Sequence, residues 1–178
     1  MICLISLIVN ILNLKKYKLK GVKINMIISG FPGVGKSYFY NECSKLKLTI
    51  KALDSDSSLF SWIVNEDKRN RHPEFPQNYI EHIKNNIKNV NVILVSSHDV
   101  VREALKINNL EYTIVYPDIS CKYEYIERFK QRGNDEGFIK MIENNWEKFI
   151  TEIESDNFPD KIKLSQGQYL SRVLIGRI

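Results

Sequence analysis

Cysteine, proline and arginine are scarce in this chain, and each shortage excludes a kind of protein. The three cysteines, Cys3, Cys43 and Cys121, are odd in number, far apart and without a C-x-x-C pair. That excludes a disulfide framework and a cysteine zinc site, and reads as reduced thiols in a cytoplasmic protein. No internal repeat and no low-complexity linker interrupts the 178 residues. The one long apolar run, residues 1–12, is shorter than the roughly 20 residues a spanning helix needs, so no membrane span is expected. Its lysines follow it, whereas a secretory signal carries its charge in front.

Positive charge is also scarcer than the total indicates. The formal charge is +5, from 26 Lys and Arg against 21 Asp and Glu. Five of those lysines lie in residues 1–25, which hold no acid, leaving 21 of each sign in the rest. A basic surface for extended nucleic acid is therefore not expected. Residues 1–25 form a leader with three readings: a membrane-surface anchor, an extra packed segment, or translated upstream sequence with the true start at Met26. The last is favoured, because Met26 opens directly into a strand.

What is present is one domain over 26–178, with 43% hydrophobic residues, enough for a core. Short apolar runs alternate with helical patterns. Strands are expected over 26–29, 48–53, 90–95, 112–116 and 161–164. Helices are expected over 37–46, 99–107, 121–131, 137–155 and 169–175. In the long helix Phe138, Met141, Ile142, Trp146, Phe149, Ile150 and Ile153 form a stripe at 3.6 spacing. The alternation predicts an α/β fold, a parallel five-stranded sheet with helices on both faces. Residues 57–89 read as a stretch without a strand, an insertion over the site with a helix near 78–87.

Gly30-Phe31-Pro32-Gly33-Val34-Gly35-Lys36-Ser37 matches G-x-x-x-x-G-K-[ST], with an expected strand before it and a helix after it. Gly30, Gly33 and Gly35 let the backbone turn its N–H groups inward, those of Val34 and Tyr38 included, around an anion at a helix N-terminus. Lys36 is the residue that reaches the β- and γ-phosphates, and the Ser37 hydroxyl is a Mg²⁺ ligand. ATP and Mg²⁺ are the expected cofactors. A plain strand-to-helix turn is the alternative.

Leu53-Asp54-Ser55-Asp56-Ser57-Ser58 follows the second strand, and alternation puts Asp54 and Asp56 on one side. Two acids beside a triphosphate divide metal binding from proton acceptance; the alternative is an Asp/Ser turn capping a helix. The third strand ends in Ser96-Ser97-His98-Asp99, with no acid at its tip. Ser97 or Asp99 reads equally as an N-cap, and His98, alone, as no metal ligand. Arg128 and Arg132, four apart, face one way before the hinge-like Gly133-Asn134; cations at a helix C-terminus are the alternative. Arg69, Arg71 and Arg102 are candidates to clamp an acceptor phosphate, with Phe60, Trp62 and Phe75 as faces for a flat base.

Over roughly 26–175 the chain resembles the small P-loop kinases, the superfamily of adenylate, shikimate and gluconate kinases, and also small phage-encoded nucleotide kinases. The resemblance implies Asp54 near the metal and Asp56 facing the acceptor, as in the Asp-x-Asp of shikimate kinases. It implies Arg128 and Arg132 as lid residues over the triphosphate, in a lid at about 128–137, and adenine contacts at Ser165-Gln166-Gly167. The expected activity is transfer of the γ-phosphoryl group of ATP to a small acceptor, a (deoxy)nucleoside monophosphate first. The alternatives are a hydroxyl acceptor (nucleoside, sugar acid or polynucleotide 5′ end) with Asp56 as base, or an NTP-binding regulatory module.

Overall fold

Runs of aliphatic and β-branched residues, buried on both sides, build the centre of the molecule. The computed structural model describes residues 25–45, 50–65 and 68–174. Its elements are β1 (Met26–Gly30), α1 (Lys36–Lys45), β2 (Ala52–Asp54), α2 (Ser58–Ser61), β3 (Trp62–Asn65), β4 (Lys68–Arg71) and α3 (Gln77–Ile87). There follow β5 (Val92–Ser96), α4 (Asp99–Ile107), β6 (Thr113–Pro117), a 3₁₀ turn (Ile119–Cys121), α5 (Lys122–Gln131), α6 (Glu136–Ser155), β7 (Asp160–Leu164) and α7 (Leu170–Leu174). Five strands pair in parallel in the order β2-β5-β1-β6-β7. Val92, Ile93, Leu94 and Val95 are fully buried, as are Ile114 and Val115, as strands covered on both faces require.

The chain runs from β1 out to the β2 edge, then back across the sheet through β5, β6 and β7. With right-handed crossovers that reversal puts α1 on one face and α3, α4 and α6 on the other, giving three layers. α7 packs on α1, and α3 on α4. In register, Gly30 lies beside Ser96 and Val115, and Asp54 beside Leu94. The carboxyl ends of β1, β2 and β5 thus share one rim, where α/β sheets place their ligands. Among the described residues no helix is long and apolar enough to cross a membrane.

Four expectations are corrected. Residues 57–89 do contain strands: β3 and β4 pair antiparallel, Trp62 opposite Arg71. β4 is Lys-Arg-Asn-Arg, with no apolar residue to signal a strand; backbone pairing makes it one. The N-cap position of α4 is His98, without a side-chain bond, rather than Ser97 or Asp99, although the Asp99 Oδ1 accepts the first-turn Val100 N–H at 2.8 Å. Met141 is half-exposed at 41%, while Ile142, Trp146, Ile150 and Ile153 carry the buried stripe. The strand expected over 48–53 is confined to Ala52–Asp54, and its residues 48 and 49, like the leader over 1–24, lie outside the described residues.

Candidate functional site

The 30–37 loop is held from behind by apolar packing. Phe31 and Val34 are buried. The Phe31 ring meets Trp146 edge-on at 5.6 Å and Tyr125 at 6.2 Å, and its N–H donates to the Val115 carbonyl at 2.9 Å. Gly33 adopts φ 81° and Gly35 φ 95°, a region that side chains with a Cβ rarely enter. Among the described residues the amides of Gly33, Gly35, Lys36 and Ser37 donate to no protein acceptor. Those of Lys36 and Ser37 belong to the first turn of α1, where helices leave N–H groups free. Lys36 folds back so that its Nζ donates to the Gly30 carbonyl at 2.6 Å.

In front of the loop is an open cleft of about 820 Å³. Its floor is Gly33, Gly35, Lys36 and Ser37; its far wall is Asp54, Asp56, several serines and His98; Arg128, Arg132 and Tyr169 close the third side. Burial lowers the Lys36 ammonium to about 8; Asp54 pulls it back up, Arg132 pushes it down, and Asp56 pulls it up. Both acids and Arg132 therefore sit within electrostatic reach of Lys36. Burial also lowers the His98 imidazole, with Asp99 opposing and Lys36 and Arg71 assisting. Asp56 lines the cleft, and its Oδ1 accepts from the Ser58 N–H at 2.9 Å at the start of α2, whose N-cap is Ser57.

Lys36, Ser37, Tyr38, Asp54, Asp56, Arg128 and Arg132 are thus brought together. Gly30 stands behind, where a Cβ would come within 2.9 Å of the Lys36 side chain, and Val34 is core. The acceptor arginines are not gathered. Arg102 is turned away: its Nη1 pairs with Asp156 at 3.3 Å, its Nε donates to the Ser97 carbonyl at 3.2 Å, and both partners of the pair are 9% exposed. It lines a separate groove instead. Arg71 lies against Trp62 and Phe75, 5.2 and 4.8 Å from their ring centroids, outside the cleft lining but near enough to act on His98. The Arg69 side chain is outside the described residues. Phe60 packs on Tyr79 and His82.

Arg128 is committed elsewhere too. Its Nη1 donates to the Gly33 carbonyl at 3.1 Å and its Nη2 to the Gln168 carbonyl at 3.1 Å, and Nη2 also pairs with Glu124. The turn after it is a Schellman cap: Gly133 at φ 76° donates to Lys130, and Asn134 to Phe129. Arg132, just past the end of α5, is exposed at the rim.

Sequence reasoning named His98 only to set aside a metal role, and passed over Tyr169 and Glu124. Glu124 was signalled, standing four residues before Arg128 on one helix; Tyr169 and His98 come from distant segments and had no local signal.

The oxygen donors of the cleft fit a magnesium ion. Ser37 and Asp54 present hard oxygen donors on one cleft, and Mg²⁺ commonly takes one or two protein oxygens with phosphate and water completing its shell. Among the described residues no cluster of three or more His, Cys, Asp or Glu could hold a metal by itself.

No protein-family model matches the chain, and no curated protein does either. A solved structure, of an uncharacterized protein from Eubacterium ventriosum ATCC 27560, is similar over 86% of this chain and 95% of that one, with 15% identity and a TM-score of 0.43.

Proposed function

We propose that the chain is an ATP- and Mg²⁺-dependent phosphotransferase of the P-loop kinase kind, acting in the cytoplasm on a small acceptor, a nucleoside monophosphate first. The observation that supports it best is one cleft uniting free loop amides, Lys36, Ser37, Asp54, Asp56 and Arg132. The loop amides and Lys36 hold the β- and γ-phosphates of ATP, and Ser37 and Asp54 hold the ion, which neutralises phosphate charge when bound. Arg132 lies where charge builds on the moving group. The acceptor oxygen bonds to the γ-phosphorus as the bond to the β–γ bridging oxygen breaks, and ADP leaves. For a monophosphate acceptor Arg71 is the guanidinium available among the described residues.

A second reading, a hydroxyl acceptor, is favoured by two observations: Asp56 faces the cleft, whereas Arg102 does not. Asp56 would then take the hydroxyl proton. The aromatics of the insertion also pack on one another and on Arg71 rather than line the cleft. A coupled ADP-release assay of the purified full chain, across nucleoside monophosphates, nucleosides, sugar acids and 5′-hydroxyl oligonucleotides, tests both. Turnover with monophosphates supports the first reading; turnover confined to hydroxyl compounds replaces it with the second. ATP binding without turnover on any acceptor refutes both in favour of a nucleotide-binding regulatory module.

A further inference from the structure

Two arginines one helical turn apart meet different surroundings, and the difference divides their roles. The Arg128 guanidinium stands at the edge of the cleft but is nearly buried, its side chain 11% exposed, with Nη1 and Nη2 engaged and Nε without a hydrogen-bond partner among the described residues. Tyr125 and Tyr169 lie against it, their ring centroids 4.5 and 3.9 Å from its central carbon. Its N–H groups reach Gly33 in the 30–37 loop and Gln168 after β7. Its counter-charge, Glu124, accepts the Gly167 N–H on both carboxylate oxygens, at 3.1 and 3.0 Å. The same segment returns to the loop once more, where the Leu170 N–H donates to the Val34 carbonyl at 2.9 Å. Tyr169 closes the contact, since a Cβ on Gly35 would lie 3.3 Å from its ring.

A peptide unit is planar, so anchoring the Gly33 carbonyl also fixes the Val34 N–H on the opposite side, where it donates to the Phe31 carbonyl at 3.3 Å rather than pointing inward as the sequence predicts. A charge paired with a carboxylate and capped by two carbonyls has little field left for the cleft. We propose that Arg128 is a positioning residue that ties the 30–37 loop to the 165–170 segment through Glu124, and that Arg132 supplies the guanidinium charge to the cleft. The catalytic half of this assignment rests on the phosphotransferase reading; the tie itself does not.

Two measurements on the full chain test it. The first is hydrogen–deuterium exchange of the ligand-free protein. Arg128→Met raises exchange in the 30–37 and 165–170 segments together, with β5 still protected; Glu124→Gln does the same, and Arg132→Ala does neither. The second is ATP affinity against turnover. Arg128→Met weakens ATP binding about tenfold, as loss of charge-assisted bonds implies, and leaves kcat at saturation within about threefold. Arg132→Ala leaves affinity nearly unchanged and lowers kcat about a hundredfold. Should Arg128→Met not fold, Arg128→Lys stands in, because an ammonium cannot bridge two carbonyls and a carboxylate as the planar fork does. Unchanged exchange in both segments overturns the tie, and a fall in kcat at unchanged affinity in the Arg128 variants overturns the division of roles. If the wild type binds no ATP, the phosphotransferase reading fails while exchange still decides the tie.

Discussion

The Tyr79 hydroxyl donates to the Ser55 carbonyl at 2.7 Å, from the buried face of α3 to the turn that carries Asp54 and Asp56. The Ser55 N–H in turn donates to the Leu94 carbonyl of β5 at 2.9 Å. The residue between the two acids is thus pinned through both of its flanking peptides, which fixes where their carboxylates stand. Burial pushes the Tyr79 phenol up to about 12, so it remains a neutral donor at physiological pH.

Tyr79→Phe therefore leaves the Ser55 carbonyl without its donor. Urea unfolding should show a loss of about 1–2 kcal/mol. The folded value is raised above the ordinary one near 10. The difference between wild type and variant should therefore hold constant below that pH and shrink as pH climbs towards 12.

Lys36 gives the cleft a pH dependence. Its ammonium titrates near 8 in the free protein, and bound phosphates raise that value by favouring the charged form. ATP affinity measured by calorimetry should fall about tenfold between pH 7 and pH 9, with proton uptake on binding. The linkage to folding has the opposite sign to a salt-bridged lysine. Because the folded value lies below the unfolded 10.5, stability should gain as pH rises from about 8 through 10.5. Lys36→Met should remove both effects.

Asp54 and Asp56 should separate in kinetics. Asp54→Asn should raise the Mg²⁺ concentration for half-maximal activity about tenfold or more. Asp56→Asn should leave ATP affinity nearly unchanged. With a hydroxyl acceptor it should lower kcat by about 10²- to 10⁴-fold; with a phosphate acceptor it should lower it little. Parallel effects of the two variants on Mg²⁺ dependence would contradict the split.

Arg102 should prove structural. Its pair with Asp156 is buried, and breaking such a pair costs about 3–5 kcal/mol. Arg102→Met should lower stability in that range while acceptor KM stays within about twofold at a temperature where the variant is folded. A KM increase without a loss of stability would return Arg102 to the acceptor site.

Much of this architecture was legible in the chain. Val92–Ser96 and Asp99–Ile107 were signalled by a buried β-branched run and a strong helical period, both local properties. β3–β4 was hidden because its second strand, Lys-Arg-Asn-Arg, carries no apolar residue and becomes a strand only by backbone pairing with Trp62–Asn65. In the site, the 30–37 loop and the two acids were legible because loop geometry and strand alternation are written locally. The fates of Arg102 and Arg128 were not. Asp156 lies 54 residues from Arg102, and Gly33 lies 95 residues from Arg128, so only the fold shows that both cations are already engaged.

The central claim is that the 30–37 loop grips a polyphosphate through Lys36 and free amides. Calorimetric titration of the full chain with Mg²⁺-ATP at pH 7.5, beside Lys36→Ala, tests it most directly. The account predicts one site per chain with a dissociation constant below millimolar, lost in the variant. Equal affinity in the two proteins, or no heat from the wild type at millimolar ATP, would contradict it.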